Sequence, residues 1–250
     1  MLRRPRLSDS PPWPDGVARH VLASLDSTNA HAMRLAASSG PAWFLALEQT
    51  AGKGRRARAW ASPRGNFHAT LLIHPPGPAA QVALRSFVAA VALREALVTL
   101  TGLPAAFSLK WPNDVLLNGG KVAGILLESV ASATGVAHLA IGIGVNLIAA
   151  PDQALLDPGA LPAVNLRAQT GVLISPERLL DQLATTYAHW ESVFTSQGFF
   201  STPFEFHLLS GALPLRAQPQ LRAHTTLLYN EGKHLPRQLR LQIKSATYVY

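Results

Sequence analysis

The stretch Asp114-Val115-Leu116-Leu117-Asn118-Gly119-Gly120-Lys121-Val122-Ala123-Gly124-Ile125-Leu126-Leu127-Glu128-Ser129, DVLLNGGKVAGILLES, sets two apolar runs on either side of Asn-Gly-Gly. Asn and Gly tolerate the positive φ angles that a tight two-strand turn requires, so the stretch reads as a β-hairpin. Lys121 then opens the return strand just beyond the turn. Working outward, Phe107–Trp111 reads as the preceding strand with a turn at Pro112, and Ala137–Leu147, AHLAIGIGVNL, as a following one. Gly142 and Gly144 in that strand would let a ligand or another backbone approach closely.

Towards the N-terminus, Asn66–His74 reads as a strand and Gln81–Leu100 as a long apolar helix. Phe44–Glu48 reads as a buried strand that delivers Gln49 to a basic loop. Ser27-Thr28-Asn29 precedes an Ala-rich helical run ended by Gly40, which puts three polar residues at a helix N-terminus where unpaired amides face outward. Towards the C-terminus, Ser175-Pro176-Glu177 opens a helix whose Leu179, Leu180, Leu183, Tyr187, Trp190 and Phe194 recur at helical spacing. Hairpins interleaved with helices predict an α+β domain over residues 18–196, a mixed β-sheet with flanking helices. Residues 1–17, rich in proline and charge, read as a disordered leader, and beyond Gln197 the patterning blurs into an atypical segment, 197–250.

The chain has 250 residues, 48% of them hydrophobic, which suffices for one substantial core. No stretch is apolar enough to span a bilayer, and the N-terminus lacks the apolar core of a secretory signal. The absence of cysteine excludes disulfides, thiolate catalysis and cysteine-based zinc sites, and a reducing cytoplasm is the expected compartment. A net charge of +8 favours anionic partners without choosing among them. Its distribution is more informative, because Lys53, Arg55, Arg56, Arg58 and Arg64 fall together with no acidic residue between them.

Those cations belong to Gln49–Trp60, QTAGKGRRARAW. Glycines clear the way for backbone amides, guanidinium groups fork onto phosphate or carboxylate, and Trp60 offers a flat ring for a purine. The same residues also read as an exposed basic turn with Trp60 as a core anchor. The loop is not a phosphate-binding P-loop, since Gly54 is followed by Arg-Arg, and Gly142-Ile143-Gly144 lacks the third glycine of a dinucleotide fingerprint. A second cluster, Lys110-Trp111-Pro112-Asn113-Asp114 with Lys121 and Gly124, sets two ammonium groups and a carboxylate at one end of the hairpin. Solvated surface lysines would explain it, as would a site that brings carboxylate and phosphate oxygens together against their repulsion.

Taken in order, LDSTN at 25–29, EQTAGKGRRARAW at 48–60, KWPNDVLLNGGKVAGILLE at 110–128 and IGIGVNL at 141–147 resemble the catalytic domain of biotin protein ligases, from about residue 20 to about residue 196. The resemblance implies the class II synthetase-like biotin/lipoyl ligase fold. It also implies a two-step acyl transfer: biotin and ATP form biotinyl-5′-AMP, and a lysine of a biotin carboxyl carrier protein domain takes the biotinyl group. Ser27, Thr28, Asn29 and Gln49 match the biotin-ring site, with Lys53, Gly54, Arg55, Lys121 and Gly124 completing the biotin contacts. Gly52 to Arg58 match the flexible loop over the adenylate, with Gly52, Arg56, Arg58, Trp60, Asn113 and Asn146 on the nucleotide side. Arg55, Lys121 and Lys110 match the residues that neutralise charge during catalysis. Asp114 would hold Mg²⁺, orient the incoming amine, or pair with Lys110 or Lys121.

Three departures accompany the resemblance. Lys53 stands where many members have arginine, and no helix-turn-helix precedes residue 20, so no DNA partner is expected. Residues 199–250 do not show the alternating pattern of the family's small C-terminal barrel. The family includes monomers and homodimers. Rival readings are a lipoate-type ligase, a weakened homologue that binds without transferring, and a basic nucleic-acid module. The last predicts a longer basic and aromatic stripe than this one loop supplies.

Overall fold

The computed structural model describes residues 11–110, 113–133, 135–155, 159–198 and 206–207. The hairpin predicted around Asn118 forms between β5 (Asp114–Leu117) and β6 (Gly120–Ser132). Its turn takes φ of 50° at Asn118 and 82° at Gly119. Gly120 does a different job from the one expected: a Cβ there would lie 2.4 Å from Val164, so it admits a neighbouring segment rather than supplying a turn angle.

Around the hairpin a mixed sheet assembles from β1 (Ala18–Leu22), β2 (Ala42–Ala46), β3 (Phe67–Ile73), β4 (Phe107–Lys110) and β7 (Gly135–Val145). A two-residue strand, β8 (Phe206–His207), lies parallel to β4. The order is β1-β2-β3-β7-β6-β5-β4-β8. β1 and β2 run parallel, and the pairs from β2 to β4 are antiparallel.

One face of this sheet is covered by α3 (Arg85–Thr101) and α5 (Pro176–Gln197). Leu93, Ala96 and Leu97 of α3 and Leu179, Leu180, Leu183 and Tyr187 of α5 are buried with Leu45, Phe67, Ala69, Ile141 and Ile143 in one core. Burying each large side chain contributes about 1.5–3 kcal/mol. The helices are tied by polar contacts: the buried Thr186 hydroxyl lies 3.1 Å from Ala92 O, and Trp190 Nε1 donates to Glu95 at 2.6 Å. Arg85, 3% exposed, donates to Glu191 at 2.6 and 2.9 Å. Tyr187 donates to the other Glu191 oxygen, and burial together with that carboxylate raises its phenol well above the usual range.

α5 opens as the sequence predicts, with Ser175 accepting from Arg178 N and Pro176 in the first turn. Other boundaries differ. The long helix is split, α2 (Ala79–Val82) being separated from α3 where Ser86 N and Phe87 N bond three residues back and Arg85 turns inward to Glu191. α1 runs over Thr28–Leu35 rather than on to Gly40, because Ser38 and Ser39 bond back to Leu35 O and close the last turn. Part of the expected leader is ordered: Trp13 Nε1 donates to Val17 O at 2.6 Å, Arg19 lies over the Trp13 ring, and both Trp13 and Val17 pack on the core. The expectations for residues 1–10, for the turn at Pro112 and for most of 199–250 fall outside the described residues. Among the described residues no helix is long and apolar enough to cross a membrane.

Candidate active site

The opposite sheet face carries α1 and the 48–66 loops instead of a helix pair. Strand alternation decides what this face presents. On β3 it presents His68 and Thr70, and on β7 Gly142 and Gly144, while the intervening residues enter the core. Register sets these side by side. Ala46 pairs with His68, His68 with Gly144, Gly144 with Gly124, Gly124 with Asp114, and Asp114 with Lys110, one row across the sheet.

Lys121 reaches that row through an irregularity. Alternation alone would put residues 121 and 124 on opposite faces, but Leu116 pairs with Lys121 and Val115 with Ala123, a bulge that consumes one extra residue. Val122 and Ala123 are both fully buried in consequence, and Lys121 Nζ lies 3.4 Å from where a Gly124 Cβ would stand. The Lys121 backbone is held by residues 162–164: its N–H donates to Pro162 O at 2.8 Å and its carbonyl accepts from Val164 N at 3.0 Å. Its ammonium is 2.7 Å from Asp114 Oδ1, a charge contact without hydrogen-bond alignment, and lies over the Trp60 ring at 5.7 Å.

At the α1 end of this face a polar network forms. Leu22 leads into a segment that runs beside residues 47–50, with Leu25 bridging Gln49 in parallel, and this brings Gln49 beneath the start of α1. Ser27 caps the helix by accepting from Ala30 N. Gln49 Oε1 accepts from Thr28 N at 2.8 Å and lies 3.0 Å from the Thr28 hydroxyl; its Nε2 donates to Ser62 Oγ at 2.8 Å. Asn29 Nδ2 donates to Glu128 at 2.7 Å, and its Oδ1 accepts from Thr70 at 2.6 Å. Thr70 has then spent its hydrogen, so its contact with Thr28 at 2.8 Å must draw on the one Thr28 hydrogen that Gln49 also faces. The network is one donor short and can accept an incoming N–H.

The basic loop is an arch. Gly54 N donates to Arg58 O, Trp60 N to Gly52 O, and Lys53 bridges Ala59, with Arg56 at φ 57° in the turn. Gly52 is obligatory here, since a Cβ would meet Ser62 Oγ at 2.5 Å and Trp60 O at 2.6 Å. Half-buried Arg55 donates to Asn113 Oδ1 at 3.0 Å, and Asn113 Nδ2 donates to Ile125 O at 2.7 Å. Arg55 thus leans over the sheet row, while Lys53, Arg56 and Arg58 lie on the exposed side of the arch. Trp60 settles on the glycines: a Cβ on Gly144 would lie 2.5 Å from Trp60 Nε1, and one on Gly142 2.3 Å from Asn29 Oδ1. The space that the sequence reserves for a ligand or a backbone is taken by the protein's own side chains.

Thr28, Asn29 and Gln49 therefore meet in one network, with Ser27 capping α1 beside them, and Lys110, Asp114, Lys121, Gly124 and Trp60 meet along one row. Buried Asn146 stands apart, donating to Val164 O at 3.2 Å beside the Lys121 clamp. Sequence reasoning missed Thr70, Ser62, His68 and Glu128. The signal for His68 and Thr70 was present, polar residues at alternate positions in an otherwise apolar strand; Ser62 and Glu128 join only through tertiary contacts. Among the described residues no group of three His, Asp or Glu side chains could cage a metal ion, and Asp114 is committed to Lys121.

Residues 21–146 match the family model described as "Biotin/lipoate A/B protein ligase family". A biotin–[acetyl-CoA-carboxylase] ligase of Paracoccus denitrificans is 53% identical over 180 residues, 72% of this chain and 75% of that protein. The enzyme of the same name from Mycobacterium tuberculosis is 32% identical over 181 residues, 69% of this chain and 65% of its own length. Among solved structures, the biotin protein ligase from Aquifex aeolicus in complex with biotin and ATP superposes with a TM-score of 0.58 at 28% identity, covering 74% of each chain. The sheet with its two unlike faces, the motifs in their order and these likenesses agree that the chain belongs to the biotin/lipoate A/B protein ligase family.

Proposed function

We infer that this protein is an ATP-dependent biotin protein ligase, which joins biotin to ATP as biotinyl-5′-AMP and passes the biotinyl group to a lysine of a biotin carboxyl carrier domain. The observation that carries the reading is that a donor-short polar cluster and a clamped ammonium group occupy one sheet face, with an indole and an arginine arch between and above them. The 53% identity to a named biotin ligase disfavours the lipoate-type and non-transferring alternatives.

In the first step a biotin carboxylate oxygen attacks the α-phosphorus, and the bond to pyrophosphate breaks. Both reactants are anions, so the protein's task is to hold them in line and neutralise them. Thr28, Asn29 and Gln49, supported by Ser27 and Thr70, bind the ureido ring through donors and acceptors fixed in place. Lys121 leaves Asp114 to meet the carboxylate and α-phosphate oxygens, and Lys110, its neighbour across Asp114, adds positive charge. Arg55 closes from the arch, exchanging Asn113 for phosphate, and Trp60 and Asn146 border the adenine. Asp114 would hold Mg²⁺ bound to the ATP phosphates, where a single carboxylate suffices and the ion would add positive charge beside the phosphate oxygens. In the second step the neutral lysine amine attacks the acyl carbon, an amide forms, and AMP leaves with the electron pair of the broken anhydride bond. The arch keeps water from that anhydride until the amine arrives.

The test is an intact-mass measurement of an apo carrier domain incubated with the protein, biotin and Mg-ATP. One added biotinyl group is expected, lost when the acceptor lysine is changed to arginine. A folded protein that leaves the mass unchanged would refute the assignment.

A further inference from the structure

Two buried polar atoms on the glycine row, Trp60 Nε1 and His68 Nδ1, lack a hydrogen-bond partner and are not used by the chemistry above. Buried polar groups are paired in the great majority of cases, so two orphans in one place call for an explanation. His68 is 1% exposed, and its Nε2 lies 3.2 Å from Pro63 O. A carbonyl has no hydrogen to give, so Nε2 carries the proton and Nδ1 is left as a bare acceptor. His68 is also the register partner of Gly144, and paired positions project to the same face. The indole lies along this row: its Cζ3 is 3.4 Å from a Cβ built on Gly124, and its Nε1 is 2.5 Å from one built on Gly144. Its N–H end is therefore the end nearest His68. A donor without an acceptor and an acceptor without a donor are neighbours on a floor of glycines that offers no Cβ to block a small slide.

We propose that in the loaded site Trp60 donates its indole N–H to His68 Nδ1, making His68 a positioning residue that fixes the indole over the two glycines. The proposal rests on the ligase reading only for what loads the site, biotin and ATP. It gives the site an acid limit, because a protonated imidazole has no lone pair to offer. Burial pushes His68 toward its neutral form, against a smaller opposing pull from the Pro63 carbonyl, so the bond holds at neutral pH and breaks as pH falls through a value below the ordinary histidine range. Of the charges on the elements around it, Arg64 pairs with Glu48 at 3.2 Å on the loops before β3 and after β2, Lys121 pairs with Asp114 at 2.7 Å on β6 and β5, and Arg55 of the arch donates to Asn113, while Lys53 and Arg56 of the arch are exposed. β2 and β7 present Ala46 and Gly144 to it, α1 contributes His31, set edge-on to Phe44, and Glu128 further along β6 is bonded by Asn29.

The experiment is ¹⁵N NMR of the full chain, alone and with biotin plus Mg-ATP, with the Trp60 indole signal assigned by its loss in Trp60→Phe. On loading, that N–H should move to the hydrogen-bonded region, exchange more slowly with water, and revert on acidification in step with the His68 ring signals. His68→Phe should abolish the shift and speed release of the adenylate roughly three- to tenfold, the scale of one hydrogen bond, and His68→Asn, whose amide oxygen stands near the Nδ1 position, should restore part of both. A Trp60 signal that shifts equally in His68→Phe, or that ignores the titration of His68 in the parent, overturns the proposal while adenylate formation stands. A parent protein that makes no adenylate overturns the ligase reading and this proposal together.

Discussion

The two faces of the sheet are built from the same strands yet obey opposite rules. On β7, Leu139, Ile141, Ile143 and Val145 fill the helix side, while Ala140, Gly142 and Gly144 line the other. On β3, Phe67, Ala69 and Leu71 face the helices, and His68 and Thr70 face the site. The helix side is selected for volume, since every unfilled methylene costs packing energy. The site side is selected for clearance and for polar atoms at fixed positions. Stability and chemistry are thereby separated by a single residue step along each strand, and substitutions can test whether they separate in practice.

The largest effect is expected at Lys121. Lys121→Ala should slow adenylate formation about 10³-fold, or ~4 kcal/mol in the barrier, with pyrophosphate release as the assay. A parent-like rate would remove the chemistry from this face. Next is Leu93→Ala on the helix side, which should lower unfolding free energy by about 3 kcal/mol in urea while the protein that remains folded keeps its turnover. Lost turnover without lost stability would erase the division between faces. Gly144→Ala should lift the indole, because the new methyl would sit 2.5 Å from Nε1. About a tenfold loss of adenylate yield, ~1.4 kcal/mol, is expected with little change in melting temperature. If stability falls instead, the glycine belongs to packing.

The smallest effect is at Asp26, whose carboxylate meets Arg34 through two bonds of 2.8 Å on the exposed approach to α1. The Arg34 hydrogen bonds hold this carboxyl well below the usual range, so the pair contributes stability above about pH 4 and loses it as the solution becomes strongly acidic. Asp26→Asn should cost less than ~1 kcal/mol at pH 7, the scale of an exposed pair, and nothing at the acid extreme. A difference that persists in strong acid would mean the cost is not the ion pair.

What could be read from the sequence followed local chemistry. Asn118-Gly119 announced its turn because few residues accept those angles, and Ser175-Pro176 announced α5 because capping is local. The parallel pairing of β1 with β2 went unread, since an exposed edge strand such as ARHVL carries no apolar alternation. The site was legible as a set of motifs but not as an arrangement. Nothing in the sequence says that Asn29 fills the space over Gly142, that Trp60 lies on Gly144, or that Lys121 rather than Lys110 takes Asp114. Those outcomes depend on which strands become neighbours, and that is settled by the core on the other face.

The bulge at Val122–Ala123 acts as a phase shifter. Upstream of it the strand presents odd-numbered residues to the site, and downstream it presents even-numbered ones, so Lys121 and Gly124 meet although they are an odd number of residues apart. Pairing the same residues without the bulge would keep the strand, its length and its composition, but would turn the ammonium group toward the helix-covered face. The hairpin would still fold as a hairpin, with its charge delivered to the wrong side of the wall.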